Sequence, residues 1–136
     1  MKTGIQYLSP VGLHRNPAFS QVVVTAGNAR TVYVGGQNSV DSSGAIIGKG
    51  DLKAQTEQVY KNLETALAAG GAKLENVVKW TIYIVEGQPM EPAFGVFQQV
   101  WGRRPNPPAI TLVYVSGLAD PDFLLEMDAV AVVPVE

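Results

Sequence analysis

Cysteine is missing from all 136 residues, which removes disulfide frameworks, thiolate nucleophiles and Cys-ligated zinc or iron–sulfur centres. Histidine occurs once, as His14, too few imidazoles for a metal site of the usual kind or a Ser-His-Asp triad; neither a metal nor a cofactor is expected. Charge is scarce as well. Only 16% of residues are charged, against about 25% in ordinary soluble domains. Ten Lys plus Arg stand against twelve Asp plus Glu, a net charge of -2, so no basic field draws in phosphate backbones and nucleic acid is not an expected partner. No segment approaches the roughly 18 consecutive apolar residues of a spanning helix. The stretch Met1 to Pro10 has no charged n-region followed by an apolar h-region. A cytoplasmic protein with no membrane partner is the expectation.

What the chain does contain is apolar material, 46% of its residues, which excludes intrinsic disorder. Its length suits one domain, residues 1–136. A small monomer has few ways of hiding so much Val, Ala and Leu, and part of the surface is therefore expected to be covered by other subunits.

Local patterning predicts the elements. Gln21 to Ala26 is a β-branched run, Gly27-Asn28 supplies turn chemistry and Thr31 to Val34 resumes strand character, which reads as a β-hairpin. Ala45 to Ile47 suggests a further short strand before Gly48-Lys49-Gly50. Asp51 is placed as the N-cap of a helix over 52–69, whose apolar stripe runs through Leu52, Val59, Leu63, Ala66 and Leu67 and which Gly70-Gly71 ends. Val77 to Val85 is apolar on both faces and reads as a strand central to the sheet. Pro92 opens a second helix, along which Phe94, Phe97 and Trp101 recur at steps of three and four. Two strands follow, Ile110 to Ser116 and Leu124 to Val133. The order β-β-(β)-α-β-α-β-β predicts an α+β domain, a mixed sheet with two helices on one face.

Few residues are equipped for chemistry. Glu126 and Asp128, two apart on the last strand, share a face at about 7 Å spacing, where a carboxylate pair holds a water or accepts a proton if burial raises one pKa. A solvated strand face is the commoner role for such a pair. Gly35-Gly36-Gln37 lets a ligand approach the backbone closely, or marks a bend at a sheet corner. Gly48-Lys49-Gly50-Asp51 lacks phosphate-loop spacing. Arg103-Arg104 lies in a proline-rich loop and suits a carboxylate clamp or a solvated surface.

Several separated blocks agree in order and distance with one family. Gly35-Gly36-Gln37, then Gly50-Asp51-Leu52-Lys53-Ala54-Gln55-Thr56-Glu57-Gln58-Val59, Asn62-Leu63, Gly70-Gly71-Ala72, and the run from Pro108-Ala109 through Gly117-Leu118 to Glu126-Met127 resemble the signature of the RidA family (YjgF, Rid; endoribonuclease L-PSP) over nearly the whole chain. The resemblance implies a chorismate-mutase-like (YjgF-like) fold, a homotrimer, and small-molecule sites in the clefts between subunits. It also implies a deaminase activity, hydrolysis of reactive enamines and imines to keto acids and ammonia. In that chemistry an arginine anchors the substrate carboxylate and a strand acid positions water. The family's arginine falls on Ile110, its N-terminal tyrosine on Phe19, its serine before the Gly-Gln pair on Gly35, and a pocket asparagine near Phe94. The strand acid falls on Asp128. The expected ligand set is thus Phe19, Gly35, Gly36, Phe94, Ile110 and Glu126, with Asp128 orienting water, in a cleft that prefers a less charged molecule than the family's usual one. The alternatives are a non-catalytic ligand- or partner-binding regulatory module and, ranked last on charge and the lack of a second histidine, an endoribonuclease or translation inhibitor.

Overall fold

A computed structural model describes residues 4–135. Six strands and two helices follow one another as β1 (Gly4–Leu8), β2 (Val22–Ala26), β3 (Ala29–Gln37), α1 (Leu52–Ala69), β4 (Val77–Val85), α2 (Glu91–Trp101), β5 (Ala109–Val115) and β6 (Leu125–Pro134), with a 3-10 turn over Leu74–Asn76. The main sheet runs β3-β6-β4-β5, and β1 pairs with β2 in a separate two-stranded ribbon. Only β4 and β5 are parallel; β6 is antiparallel to both β3 and β4. The α+β expectation holds, two helices against a mixed sheet, and Val77 to Val85 is interior to that sheet as its composition requires.

Two strand assignments differ from expectation. β2 and β3 form no hairpin with each other despite the Gly27-Asn28 turn: β2 takes β1 as its partner and β3 takes β6. Turn chemistry permits a reversal, but pairing goes to whichever edge is brought alongside, and β1 was not foreseen because Gly4–Leu8 carries little β-branching. Ala45 to Ile47 contributes only an isolated bridge, Val40 to Ile46. That loop is instead held by Asp41, whose carboxylate accepts from the Ser43 and Ala45 N–H groups and the Ser43 hydroxyl. These bonds lower the Asp41 pKa, the Ser43 side chain foremost.

α1 begins where its cap predicts, with Asp51 accepting from the Ala54 N–H at 3.1 Å. It ends at Gly70-Gly71, where Gly71 takes φ of 79° and the Ala72 N–H reaches back to the Leu67 carbonyl at 2.9 Å, a C-terminal geometry that glycine adopts without a Cβ clash. Both helices pack on one side of the sheet. There β6 buries Leu125, Met127, Ala129 and Ala131, and β4 buries Trp80 and Ile84, against Val59, Leu63 and Leu67 of α1 and Val96 and Phe97 of α2. Trp80 is fully buried and meets Tyr60, Phe97 and Trp101 edge to face at centroid separations of 5.7, 5.9 and 5.7 Å. Among the described residues its indole N–H has no conventional acceptor, and ring faces are what such a nest offers it. Among the described residues no helix is long and apolar enough to cross a membrane.

Candidate functional site

The two-residue period of β6 decides the geometry. Leu125 and Met127 point under the helices, so Glu126 and Asp128, which alternate with them, point to the opposite, helix-free face. Both carboxylates are half-buried there. Thr81 of β4 lies opposite Asp128, and Tyr83 opposite Glu126. The Tyr83 hydroxyl donates across the diagonal to Asp128 Oδ2 at 3.5 Å, and the negative charge of Asp128 is the main reason the Tyr83 pKa is raised, with burial and that hydrogen bond adding to it. Lys79, on the same face, donates to the Thr111 hydroxyl of β5. Its pKa is lowered by loss of solvent, partly offset by Asp128.

Glu126 is held from the other side. Asn38 Nδ2 donates to Glu126 Oε1 at 3.2 Å, and the Asn38 carbonyl in turn accepts from Asn62 of α1. The carboxylate lies so close over Gly36 that a Cβ at that position would overlap it. The β3–β6 register slips between Val34 and Gln37, so Gly35-Gly36 is both a bend in the strand and a place where a side-chain acid approaches bare backbone.

On the covered side, a cavity of about 400 Å³ opens between α1, α2, β4, β5 and β6. Phe19, Phe94 and Ile110 line it together with Met90, Ile82 and Leu112. Its polar contributors are Asn16, Thr56 and Tyr60. The Thr56 hydroxyl already donates to the Leu52 carbonyl at 2.7 Å, and Asn16 Oδ1 accepts from the Ala18 N–H at 2.8 Å. No charged residue is among the lining.

The fold therefore divides the residues that the sequence grouped. Phe19, Phe94 and Ile110 share the cavity. Gly35, Gly36, Glu126 and Asp128 lie on β3 and β6, and the two acids face the other way. Neither arginine of the 103–104 pair lines the cavity. Arg104 is engaged at the end of α2, its guanidinium donating to the Val100 and Trp101 carbonyls at 2.6 and 3.0 Å and to Glu75 at 3.4 Å. Sequence reasoning missed Thr56 and Tyr60, which stand one turn apart on the buried stripe of α1. The signal was present: a polar residue and a tyrosine inside an otherwise aliphatic stripe.

Comparison with known proteins agrees with the fold and the sequence blocks. A Yersinia pestis protein of the conserved Rid protein family superposes with a TM-score of 0.83 at 29% identity, covering 95% of this chain and 98% of that one. A RutC family protein of Pyrococcus horikoshii is 34% identical over 113 residues, 83% of this chain and 85% of its own. The human 2-iminobutanoate/2-iminopropanoate deaminase is 28% identical over 114 residues, 84% of this chain and 79% of its own. The profile described as Endoribonuclease L-PSP matches residues 13–133. With its blocks, its superposition and this profile in agreement, the chain belongs to the RidA (YjgF, Rid; endoribonuclease L-PSP) family.

Proposed function

We propose that the protein is a homotrimer that binds a small metabolite in the clefts between subunits and hydrolyses a reactive enamine or imine there. In this reading the oily wall built from Phe19, Phe94 and Ile110 in one protomer meets the Gly35-Gly36 bend and the carboxylates of Glu126 and Asp128 from the next. The alternation along β6 supports a shared site, since no single protomer can turn Met127 and Asp128 to the same side. A helix-free sheet face that keeps Val130, Val132, Thr81 and Thr111 beside its charges is a suitable subunit contact. The observation that carries the reading is the cavity bordered by Phe19, Phe94 and Ile110, the positions at which the family resemblance puts substrate contacts.

Chemically, water adds to the C=N carbon while a carboxylate takes one of its protons. The carboxylate passes that proton to the nitrogen to give the neutral carbinolamine, then takes the hydroxyl proton and returns it to the nitrogen as the C–N bond breaks, leaving a carbonyl and ammonia. Asp128, whose Oδ2 already accepts from Tyr83, is assigned the water. With Ile110 where the family resemblance puts an arginine, a substrate carboxylate has no bidentate partner, and leaving such a charge unpaired costs on the order of 2–5 kcal/mol. The preferred substrate is therefore less charged than an amino-acid-derived imine. A non-catalytic binding module is the second reading, favoured by the fact that Asp128 lies outside the cavity within one protomer.

The test pairs sedimentation analysis with an assay of imines generated in situ, native protein against Asp128→Asn. A trimer that releases ammonia faster than buffer, and a variant at least tenfold slower, is the expected result. A monomer, or native protein no faster than buffer on every imine, sinks the hydrolytic reading and leaves the binding module.

A further inference from the structure

The cavity carries a statement about the class of molecule it takes, and this rests on reading it as the metabolite site. Its volume of about 400 Å³ lies within the roughly 300–1,000 Å³ of small-molecule sites. None of Lys, Arg, His, Asp or Glu contributes to its wall, and a carboxylate or ammonium placed there gives up its hydration with nothing in return. A charged occupant is thereby disfavoured on physical grounds, whatever the rest of the cleft contributes at its rim.

One polar side chain in this wall, that of Tyr60, makes no hydrogen bond among the described residues, and its hydroxyl is not among the buried atoms lacking a partner, a place held by the Trp80 indole N–H, so it opens on the chamber. Tyr60 is 2% exposed, its ring is fixed edge to face against Trp80 at 5.7 Å, and its side chain lines the cavity. Thr56, one turn earlier, has committed its proton to the Leu52 carbonyl. The Tyr60 hydroxyl has no acceptor among the described residues, and burial alone raises its pKa, so the phenol keeps its proton throughout the physiological range. A hydroxyl that opens on an apolar chamber gains a hydrogen bond when an occupant brings an acceptor to it. A phenol on a rigid helix, pinned by an indole and facing an apolar chamber, is a donor set out for an acceptor atom carried in by something else.

We propose that the cavity binds a neutral, mainly apolar carbonyl or imine compound, with an aromatic or branched hydrocarbon body against Phe19, Phe94 and Ile110, and with its oxygen or nitrogen accepting a hydrogen bond from the Tyr60 hydroxyl. Tyr60 is thus a specificity-determining residue: it distinguishes a carbonyl from the hydrocarbon of the same shape, while the uncharged wall rejects the corresponding acid.

Three probes of similar outline test this by calorimetry or by quenching of Trp80 and Trp101 fluorescence: acetophenone, ethylbenzene and benzoate. For the native protein acetophenone is expected to bind more tightly than ethylbenzene, and benzoate to bind at least tenfold more weakly than acetophenone. In Tyr60→Phe, which keeps the ring and its packing, acetophenone is expected to weaken by roughly three- to tenfold and ethylbenzene to be unchanged. Equal loss for both probes shows that Tyr60 acts only through packing, and benzoate binding as tightly as acetophenone shows that the wall does not select against charge; either result overturns the proposal. So does failure of all three to bind, which is the outcome if a segment of a neighbouring copy fills the chamber. The catalytic reading is judged separately, by ammonia release from imines generated in situ. Tyr60-dependent binding without ammonia release refutes hydrolysis alone, and hydrolysis without acetophenone binding refutes this inference alone.

Discussion

The two faces of the β3-β6-β4-β5 sheet are made by the same strands and do opposite things. On the side under the helices β6 presents Leu125, Met127, Ala129 and Ala131, all 2% exposed or less. On the other side it presents Glu126, Asp128 and Val130, each half-buried, with Lys79, Thr81 and Tyr83 beside them from β4. One face is organised by packing, the other by charge and hydrogen bonds. Burial of hydrocarbon is worth about 25 cal/mol per Å², whereas an exposed pair of charges contributes roughly 0–1 kcal/mol. The covered face therefore holds the fold together, and the bare face is available for chemistry and for contact.

That division is strongest at Trp80. Removing its ring, Trp80→Ala, takes away the piece that Tyr60, Phe97 and Trp101 pack against and is expected to cost about 3–5 kcal/mol in urea unfolding. A loss below about 1 kcal/mol would mean that the covered face does not dominate stability. Gly36→Ala probes the bare face with a single methyl. The new Cβ meets the Glu126 carboxylate, the end of a flexible side chain, so the acid moves aside and releases Asn38. A loss of about 1 kcal/mol is expected, with the Asn38 side-chain amide resonances shifting in NMR. Loss on the scale of Trp80→Ala would show that Gly36 serves the backbone and not the acid. The smallest effect concerns the charge on Asp128. A neighbouring negative charge opposes tyrosinate formation and holds the Tyr83 pKa above its ordinary 10.0. Asp128→Asn removes that charge, so the Tyr83 titration, read by ultraviolet absorbance against a Tyr83→Phe background, should move down toward 10.0. An unchanged midpoint means that the two side chains do not face one another in solution.

Some of this was legible in residue order. The Asp51 cap, the aliphatic stripe and the Gly70-Gly71 stop place α1 at its observed bounds, because helix ends are decided by neighbours within one turn. The two-residue period put Glu126 and Asp128 on one face for an equally local reason. The ribbon partner of β2 was not legible, since pairing depends on where a distant segment lies and Gly4–Leu8 is a weak strand by composition. Arg104 shows the same limit: a carboxylate clamp or a solvated loop residue by its sequence surroundings, it is committed once the end of α2 and Glu75 come within reach.

From the order of residues alone came the family, the two helices, the interior strand and the shared direction of the two acids, all consequences of short-range geometry and matched blocks. Folding in three dimensions decided that Phe19, Phe94 and Ile110 meet Tyr60 and Thr56 around one chamber while Gly36 and the acids lie across the sheet. A cavity wall is assembled from residues tens of positions apart, and a pleated strand sends adjacent side chains to opposite sides. Membership of a site was therefore settled by packing, which no spacing in the sequence records.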